Sequence, residues 1–475
     1  SQQCLEKEMT VTGKDLIDFG FSPGPALGAA LAHVRLHGLQ GDALRAYVEA
    51  KKPAPKLRLQ TAPAWVLNLE AEDEAEAGNV AAVTETMDQL MRTPTLRGGA
   101  VMPDACPAGA PGTIPVGGVV VAERAIHPGM HSADICCSVM LTDFADADPE
   151  AVLNAVHEAT HFGPGGRAAD QRFAVPPEML EAFRTNRFLN SDTILRSAVE
   201  HMGTQGDGNH FAFVGRSQAT GRTCLVTHHG SRGAGAGLYA QGMKVAERFR
   251  MQLSPATPKA NAWIPSDSPE GAAYWEALQL IRQWTRANHE ALHQAAVAAL
   301  GAQVADRFWN EHNFVFRRGD LFYHAKGATP VAGDFLPDTN GVQIVPLNMA
   351  EPVLLIRGNA NDRNLGFAPH GAGRNLSRTA HKRSLGSYAE AEVFARETKG
   401  IDARFWSGHI DVSELPSAYK PAATVRAQMA RFDLAEVVDE IMPYGCIMAG
   451  DWERDAPWRR RLDARASAAP VSGRG

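Results

Sequence analysis

Short apolar runs that end at a polar residue beside glycine are the feature that most constrains this fold. Residues 116–122 (Val-Gly-Gly-Val-Val-Val-Ala) read as a buried strand, and 224–229 read as another that leads into a His-Gly-Ser-Arg loop. Residues 131–141 are strand-like too, but carry Asp134 and two cysteines inside an otherwise apolar run. Because aspartate is depleted in strands and costly to bury without a partner, this run predicts a bound cation.

Helical and strand-like segments alternate along the chain without the regular spacing of βαβ units. We therefore expect an α+β (mixed α/β) fold, with a layered central β-sheet inside a single large catalytic domain. The length of 475 residues and a hydrophobic content of 44% are sufficient for such a core. Helices are predicted at 79–91, 270–300, 388–397 and 422–434, strands at 343–348 and 352–357, and a loop from Met102 to Gly112.

The two ends of the chain differ from the centre in composition. Residues 9–50 predict a small helical unit, with helices near the start, at 25–36 and at 42–50. Part of it resembles a helical piece near the C-termini of tRNA nucleotidyltransferases. It is either a packing appendage, which we favour, or an RNA contact. The expected domains are a helical N-terminal appendage at 1–55, a catalytic domain at 60–458 and a flexible tail at 459–475.

Charge and cysteine content limit the class of protein. The chain has 47 basic and 53 acidic residues, a formal charge of −6, which argues against bulk non-specific nucleic-acid binding but allows a local basic groove. Its six cysteines show no secreted disulfide framework, and the adjacent pair Cys136 and Cys137 cannot be bridged without strain. With no apolar run near the length of a membrane span and no signal segment, we expect a soluble, cytoplasmic protein.

Five potential metal ligands lie at strand ends or beside glycine, where loops carry sites. One carboxylate, one thiolate and three imidazoles suit a borderline transition metal such as manganese, zinc or iron better than magnesium or calcium. Five ligands exceed what one four-coordinate zinc needs, so two metals that share a bridging ligand are consistent with the set. The predicted ligands are Asp134, Cys137, His210, His228 and His324.

Neighbouring residues have simpler interpretations. We expect Cys136 to be a small buried hydrophobe, and His229 to face away from His228 and so not to be a ligand. His289 and His293 are one helical turn apart and could form a metal pair, but a solvated helix face is the interpretation we favour. Cys106, in a proline-rich loop, is either reactive or inert.

The stretch from Gly366 to Arg378 predicts phosphoryl chemistry. His370 follows Pro369 and precedes two glycines that let the backbone come close to a bulky anion. The serine and arginines after it fall where a helix N-terminus holds phosphate. The sequence therefore predicts that His370 acts on a phosphoryl group.

Five motifs in one order carry a family resemblance. They are Asp-Ile-x-Cys (134–137), Gly-Asn-His-Phe (208–211), His-x-Gly-Ser-Arg-Gly (228–233), His-x-Lys-Gly-Ala-Thr (324–329) and His-Gly-Ala-Gly-Arg-x-x-Ser-Arg (370–378). This series resembles the RtcB-type RNA-splicing ligases over about residues 100 to 450. The family joins an RNA 3′-phosphate or 2′,3′-cyclic phosphate to a 5′-hydroxyl. The resemblance implies such RNA ends as substrate, with two Mn²⁺ ions and GTP as cofactors.

The resemblance also implies a role for each matched residue. His370 would be the nucleophile that takes GMP from GTP as a phosphoramidate, and Cys137 would bridge the two ions. Nucleotide contacts would come from Asn209, Gly371, Ala372, Gly373, Arg374, Ser377 and Tyr419. The cationic surround of phosphate and RNA would come from Arg232, Lys326, Arg374 and Arg378. We expect a monomer, and leave open an accessory protein factor.

The chain departs from the family pattern at several positions. Phe213 stands where the family has a glutamate and Ala449 where it has a lysine, and both of those family residues belong to the guanine pocket. The metal-ligand and nucleophile positions are kept. We interpret the chain as a divergent paralogue with relaxed nucleotide choice or a dedicated RNA target. Two alternatives stay open: a hydrolase that opens 2′,3′-cyclic phosphates without ligating, and a non-catalytic module that binds RNA ends.

Overall fold

The computed structural model describes residues 11–21, 23–52, 56–337 and 339–454. The predicted flexible tail at 459–475 lies outside the described residues, as do 1–10 and 53–55 of the predicted appendage. The chain divides into two compact units, one of residues 1–58 with 252–255 and one of 59–251 with 256–475. The domain boundaries expected from the sequence stay predictions.

The first unit is helical. Thr12 begins its first helix with a capping box, because its side chain accepts from the Asp15 amide while the Asp15 carboxylate accepts from the Thr12 amide. The described core of this unit consists of Leu16, Phe21, Ala30, Val34, Leu44 and Val48, each at most 5% exposed. Its helices are α1 Gly13–Asp18, α2 Pro25–Leu36 and α3 Gly41–Lys51.

Helices and strands alternate irregularly in the second unit, which confirms the predicted mixed α/β class. Among the described residues, no helix is both long and apolar enough to span a membrane. The helices are α4 Glu74–Leu90, α5 Pro149–Ala159, α6 Pro177–Thr185, α7 Asp192–Glu200, α8 Arg232–Leu253, α9 Pro269–Leu300, α10 Arg378–Ser384, α11 Glu390–Glu397 and α12 Ala422–Arg431. The strands are β1 Val66–Leu67, β2 Leu96–Cys106, β3 Val116–Glu123, β4 Ala125–Ile126, β5 Ser138–Phe144, β6 Phe211–Ser217, β7 Thr223–His229, β8 Ile264–Pro265, β9 Val304–Glu311, β10 Asn313–Arg318, β11 Leu321–Lys326, β12 Ala328–Pro330, β13 Val342–Val345, β14 Val353–Gly358, β15 Phe367–Pro369, β16 Asp402–Phe405 and β17 Ala435–Met448.

Two sheets dominate the described part of the second unit. The larger has the order β13-β14-β17-β6-β7-β5-β9, with β16 added in parallel to β17, and its other pairings are antiparallel. The smaller has the order β1-β2-β3-β11-β10. Register in the larger sheet sets Phe211 opposite both His228 on β7 and Met448 on β17. Alternate residues of β7, β6 and β17 thus share one face of the sheet. This face forms a wall of the candidate site.

The long helix α9, predicted at 270–300, packs apolar side chains such as Leu278, Ile281 and Trp284 into the core. Ser268 caps its N-terminus by accepting from the Gly271 amide, and Gly301 ends it with φ +60°. Trp284 is fully buried and donates from Nε1 to the Ala198 carbonyl at 3.1 Å.

The same helix corrects the interpretation of His289 and His293, which are fully buried rather than solvated. His289 Nδ1 and His293 Nε2 both lie 2.7 Å from the Thr227 hydroxyl, and His293 Nδ1 lies 2.8 Å from the Thr142 hydroxyl. His229 stacks on His289 with ring centroids 3.5 Å apart. Because threonine hydroxyls of β5 and β7 form hydrogen bonds with these imidazole rings, the helix can bury polar side chains against the sheet.

Two local predictions were wrong, and one helix was missed. Residues 131–137 form a loop, since β5 begins only at Ser138, and Cys136 has φ +59°. Residues 102–106 belong to β2 instead of a loop. Helix α8 was missed because its glycines lower helix propensity. Tertiary packing explains them, because a Cβ on Gly242 would lie 2.5 Å from the Tyr274 ring.

Asn288 of α9 offers a test of how the fold positions the site. Its Oδ1 accepts from the amides of Gly203 and Thr204, at 2.5 and 3.2 Å, and its Nδ2 donates to the Thr204 carbonyl. We expect Asn288→Ala to lower the free energy of unfolding by about 3 kcal/mol, because buried backbone groups would lose their partners. Urea unfolding followed by tryptophan fluorescence measures this. Arg286→Ala, an exposed change two residues away, is the control with an expected effect below about 0.5 kcal/mol, and equal effects would contradict the account.

Candidate active site

A loop at residues 131–137 carries the acidic and thiol ligands and is held by the junction of β9 and β10. The Cys136 amide donates to the Asn313 carbonyl at 2.7 Å, and the His312 amide donates to the Cys137 carbonyl at 2.9 Å. Asn313 Nδ2 also donates to the Asp134 carbonyl at 3.2 Å. The loop and the junction therefore fix each other, which brings His312 to the ligands.

The potential ligand atoms form two overlapping groups that share Cys137. One group is Cys137, His228 and His312, and the other is Asp134, Cys137 and His210; within each, the ligand atoms lie within 4.8 Å of one another. Cys137 Sγ lies 3.1 Å from His228 Nε2 and 3.7 Å from His210 Nε2. His210 Nε2 lies 3.3 Å from Asp134 Oδ2, and His228 Nε2 lies 3.2 Å from His312 Nε2. A sulfur common to both groups suits a bridging ligand.

Backbone carbonyls orient two of the histidines. His210 Nδ1 lies 2.5 Å from the Gln205 carbonyl, and His228 Nδ1 lies 3.1 Å from the Asn209 carbonyl. When each Nδ1 donates its proton there, Nε2 keeps its lone pair and faces Cys137, which is how metal-binding imidazoles are usually held. The geometry of these rings fits a cation.

His312 was missed by the sequence analysis. It lies between β9 and β10, neither of which was predicted from the sequence, and their junction has no glycine, so the criterion of a strand end or a neighbouring glycine did not select it. His312 is 2% exposed, and its Nδ1 has no hydrogen-bond partner among the described residues.

His324, the fifth predicted ligand, is not brought to this cluster. It lies on β11 of the smaller sheet, fully buried, and its Nε2 accepts from the His127 amide at 2.9 Å. Its ring packs edge-on against His127 with centroids 5.4 Å apart. The structure thus corrects the ligand set at one position, with His312 next to Cys137 and His228 where His324 was expected.

Protonation states agree with a cation site. Burial lowers the pKa of His228 to about 3 and that of His312 well below its ordinary value, so both rings are neutral at neutral pH. Burial opposes ionisation of Asp134, but its contacts with His210 and Cys137 outweigh burial and lower the pKa of the carboxyl. Burial raises the pKa of the Cys137 thiol, so a thiolate here needs a cation.

Gly230 makes room for the acidic ligand. A Cβ on this residue would lie 2.0 Å from Asp134 Oδ1 and 2.8 Å from its Cγ. Any side chain here would displace the carboxylate, so the glycine of the His-His-Gly-Ser-Arg loop is required by close approach.

Asp104 holds His370. The fully buried carboxylate accepts from the His370 amide at 3.1 Å and lies 2.6 Å from His370 Nδ1. With Nδ1 protonated and bonded to Asp104, Nε2 carries the lone pair, as a nucleophile requires. The His370 ring centroid lies 4.8 Å from that of His312. Sequence reasoning had placed Asp104 in a loop without a role.

Gly373 keeps the segment after His370 against Asp104. It has φ +70°, which favours glycine, and a Cβ here would lie 1.9 Å from the Asp104 carbonyl oxygen. Gly373 is therefore needed because the segment after His370 packs closely against the backbone of β2.

Glu414 forms hydrogen bonds with three residues that were predicted to contact the nucleotide or phosphate. The sequence analysis did not identify Glu414 itself. Arg374 Nη2 and Arg378 Nε each donate to its carboxylate at 2.8 Å, and the Tyr419 hydroxyl donates to it as well. Arg374 also stacks over the Tyr419 ring, 4.4 Å from its centroid. The Glu414 side chain is 1% exposed and neutralises part of the cationic surround.

The remaining predicted contacts are dispersed around the site. Ser377 is exposed and caps the seven-residue helix α10 through the Ala380 amide, at 3.2 Å. Arg232 donates to Thr204 Oγ1 and to the Gly163 carbonyl, and burial lowers its pKa. Lys326 Nζ donates to the Ile114 carbonyl at 3.2 Å, and burial lowers its pKa.

A cavity of about 170 Å³ opens beside His370 and His228. Phe213 lines it, whereas Ala449 packs on the opposite face of the sheet with Ile447 and Val214. Position 449 is therefore not part of this wall. Other described residues that line the cavity are Cys106, Val116, Asn209, Phe211, Pro346, Leu347, Asn348, Met349, Val353, Gly371, Ala372, Gly373, Arg374, Glu414, Tyr419, Cys446 and Met448. Burial raises the pKa of the Cys106 thiol, which favours the inert interpretation of that cysteine.

The shared sulfur predicts a pattern of metal loss. We expect two Mn²⁺ ions per chain, none in Cys137→Ala and one in His312→Ala, since the latter removes a ligand from one group only. His324→Gln, whose amide can still accept from the His127 backbone, is the matched control and should keep both ions. Metal content after gel filtration, measured by mass spectrometry, checks this. Loss of an ion from His324→Gln with retention in His312→Ala would contradict the assignment.

The chain matches known proteins over much of its length. The family model described as "tRNA-splicing ligase RtcB" matches residues 181–449, more than half of the chain. The tRNA-splicing ligase RtcB of Aeropyrum pernix is 27% identical over 295 residues, which are 54% of this chain and 61% of that protein. The RNA-splicing ligase RtcB of Escherichia coli K12 is 25% identical over 387 residues, 73% of this chain and 89% of that protein.

A third relative is the RNA-splicing ligase RtcB of Mycobacterium tuberculosis, 27% identical over 290 residues, 54% of this chain and 67% of that protein. The family match includes His210, His228, His312 and His370 but begins after the loop with Asp134 and Cys137. The resemblance read from five short motifs is confirmed by these matches. With more than half of its length matched by the family model, the chain belongs to the RtcB family.

Proposed function

We propose that this protein is an RNA ligase that joins 3′-phosphate or 2′,3′-cyclic-phosphate ends to 5′-hydroxyl ends, with GTP and two Mn²⁺ ions. The observation that carries the proposal is the Asp104–His370 pair beside two ligand groups that share the Cys137 sulfur. A histidine held as a nucleophile next to a two-metal site suits nucleotidyl transfer, in which charge on phosphate must be neutralised.

The first step would be guanylylation of His370. Its Nε2 lone pair attacks the α-phosphorus of GTP, so that an N–P bond forms while the bond to the pyrophosphate oxygen breaks and pyrophosphate leaves. The proton stays on Nδ1, where the Asp104 carboxylate, 2.6 Å away, stabilises the positive charge that develops on the ring. The same carboxylate accepts from the backbone amide of His370, which holds the residue in place.

The ligand residues fit Mn²⁺ by their chemistry. Cys137, His228 and His312 would hold one ion, and Asp134, Cys137 and His210 the other, since three imidazoles, a thiolate and a carboxylate suit a borderline transition metal. When bound, the ions would supply positive charge that offsets the triphosphate.

Two further transfers would complete ligation. A 2′,3′-cyclic phosphate would first be opened by water to a 3′-phosphate, with the bond from phosphorus to the 2′-oxygen broken. An oxygen of the RNA 3′-phosphate then attacks the phosphorus of the His370 adduct, the N–P bond breaks, and the RNA end becomes activated by GMP. The 5′-hydroxyl then attacks the 3′-phosphate, and GMP leaves. Splitting the reaction this way follows the logic of covalent catalysis.

The charged and polar residues around His370 would position the phosphates. Arg378 is half-exposed, which leaves it accessible to RNA although it also pairs with Glu414. We assign Arg374, Lys326 and Arg232 to the same cationic surround, and Asn209, Ser377, Tyr419 and the backbone of 371–373 to the nucleotide. We further propose a cytoplasmic monomer with a helical appendage at 1–55, and an accessory protein factor stays open.

Covalent labelling tests the proposal. Incubation with Mn²⁺ and GTP labelled at the α-phosphate should leave an acid-labile, alkali-stable adduct on the wild-type chain. His370→Ala should leave none, because it removes the nucleophile. An intact His370 without adduct from any nucleotide would rule out the ligase. If such a protein still opened 2′,3′-cyclic phosphates without nucleotide, it would be the hydrolase.

Asp104→Asn separates orientation from nucleophilicity. The asparagine side-chain oxygen can still accept from the backbone N–H groups. His370 then has no carboxylate to accept its Nδ1 proton, so we expect adduct formation to slow by at least about 100-fold. Single-turnover labelling measures the rate, and Mn²⁺ content should not change, because Asp104 belongs to neither ligand group. A rate within about threefold of wild type would contradict the role of Asp104.

A further inference from the structure

We infer that Lys420 is a positioning residue for the proposed guanylylation, because it holds the bulged part of β2 from which Asp104 reaches His370. The inference rests on the proposed function, since it concerns the histidine to which the nucleotide is transferred. Lys420 belongs to neither group of potential metal ligands and does not line the nucleotide cavity. Its role is therefore separate from metal binding and from contact with the base.

Asp104 lies where β2 departs from regular pairing. β2 pairs with β3 up to Val101 and again at Cys106, but the single residue Gly117 of β3 stands opposite the four residues 102–105. On the other side of β2, the pairing with β1 also ends at Val101. The backbone of this bulge therefore needs hydrogen-bond partners from outside the sheet.

Lys420 supplies two of these partners. Its Nζ donates to the carbonyls of Pro103 and Ala105, at 3.1 and 2.8 Å, and these are the two residues that flank Asp104. In extended backbone, carbonyls two residues apart point to the same side, so one amino group reaches both. Lys420 is 3% exposed, so these bonds form away from water.

The same lysine is tied to the segment that carries His370. The Lys420 amide donates to the Gly373 carbonyl at 2.9 Å. Through its side chain and its backbone, Lys420 thus contacts both β2 around Asp104 and the segment after His370. A change in its side chain should alter how these two parts of the chain lie against each other.

The Asp104 carboxylate depends on this support because it is held from one side only. Its Oδ2 accepts from the His370 amide, from His370 Nδ1 and from the Gly371 amide, whereas Oδ1 has no hydrogen-bond partner among the described residues. All three donors belong to the segment that the carboxylate orients. The position of the carboxylate relative to β2 is therefore set by the backbone of the bulge.

Charge links the two side chains as well. Burial lowers the pKa of Lys420, and the Asp104 carboxylate is the neighbouring charge that opposes this shift most, ahead of Cys106 and Glu76. A buried carboxylate is stabilised by a nearby cation. Lys420 thus favours the ionised Asp104 that the His370 ring needs when positive charge develops on it.

Single-turnover labelling of Lys420→Met tests the inference. Methionine keeps most of the apolar stem but removes the donors and the charge. We expect adduct formation to slow by at least about tenfold, since a displacement of about 1 Å at a reacting group can cost about 100-fold. A rate within about threefold of wild type would overturn the inference. Lys420→Gln, which is shorter and uncharged, replaces this variant if it does not fold, and the same limits apply.

Two measurements separate positioning from general damage to the structure. Affinity for a non-transferable α,β-methylene analogue of GTP, measured by calorimetry with Mn²⁺, should stay within about threefold of wild type, because Lys420 does not line the cavity. Lys399→Met removes an exposed lysine and should leave the rate of adduct formation within about twofold of wild type. Equal losses of affinity and rate in Lys420→Met, or equal slowing in Lys399→Met, would overturn the inference.

A double-mutant cycle shows whether Lys420 acts through Asp104. In Asp104→Ala no carboxylate reaches His370, so the addition of Lys420→Met should slow adduct formation by less than about threefold more. A further slowing as large as that caused by Lys420→Met alone would overturn the inference, because Lys420 would then act by another route.

Crystal structures distinguish the inference from the proposed function. In Lys420→Met we expect the distance from Asp104 Oδ2 to His370 Nδ1, 2.6 Å in the wild-type chain, to exceed about 3.5 Å. An unchanged distance would overturn the inference whether or not the protein forms an adduct. Loss of this contact in Lys420→Met, together with a wild-type chain that forms no adduct, would support the inference and refute the proposed ligase.

Discussion

The Cys137 sulfur is the point on which the rest of the site depends. A thiol, a carboxyl group and three imidazoles lie within a few ångströms of one another, an arrangement that suits bound cations. The loop that carries Cys137 is bonded to the β9–β10 junction, and two backbone carbonyls turn His210 and His228 towards the sulfur. The positions of the potential ligands therefore depend together on the pairing of the strands and on the contacts of the loop.

His370 lies beside this cluster but is held by different means. Its partner Asp104 comes from β2 of the smaller sheet, while most of the potential metal ligands adjoin the larger one. The His370 ring lies beside that of His312, with centroids 4.8 Å apart, and the cavity wall of β6 and β17 adjoins both His370 and His228.

The residues that could be predicted from the sequence are those that lie within short motifs. Strand-end residues such as Cys137 and His228, and the glycine-flanked His370, could be found because their neighbours signal turns and close approach. The sequence did not predict His312, Asp104 or Glu414, because their roles arise from contacts between residues far apart in the chain. Helix α8 was missed for a related reason: its glycines weaken the local signal and are explained only by tertiary packing, as at Gly242, which packs against Tyr274. His324 was misassigned because it follows the same local pattern as the ligands yet lies in the other sheet.

Anomalous diffraction from crystals grown with Mn²⁺ tests the central claim most directly. Two peaks, both within bonding distance of Cys137 Sγ, one shared with His228 and His312 and the other with Asp134 and His210, are the predicted result. A single peak, or a peak at His324 with none beside His312, would contradict the account.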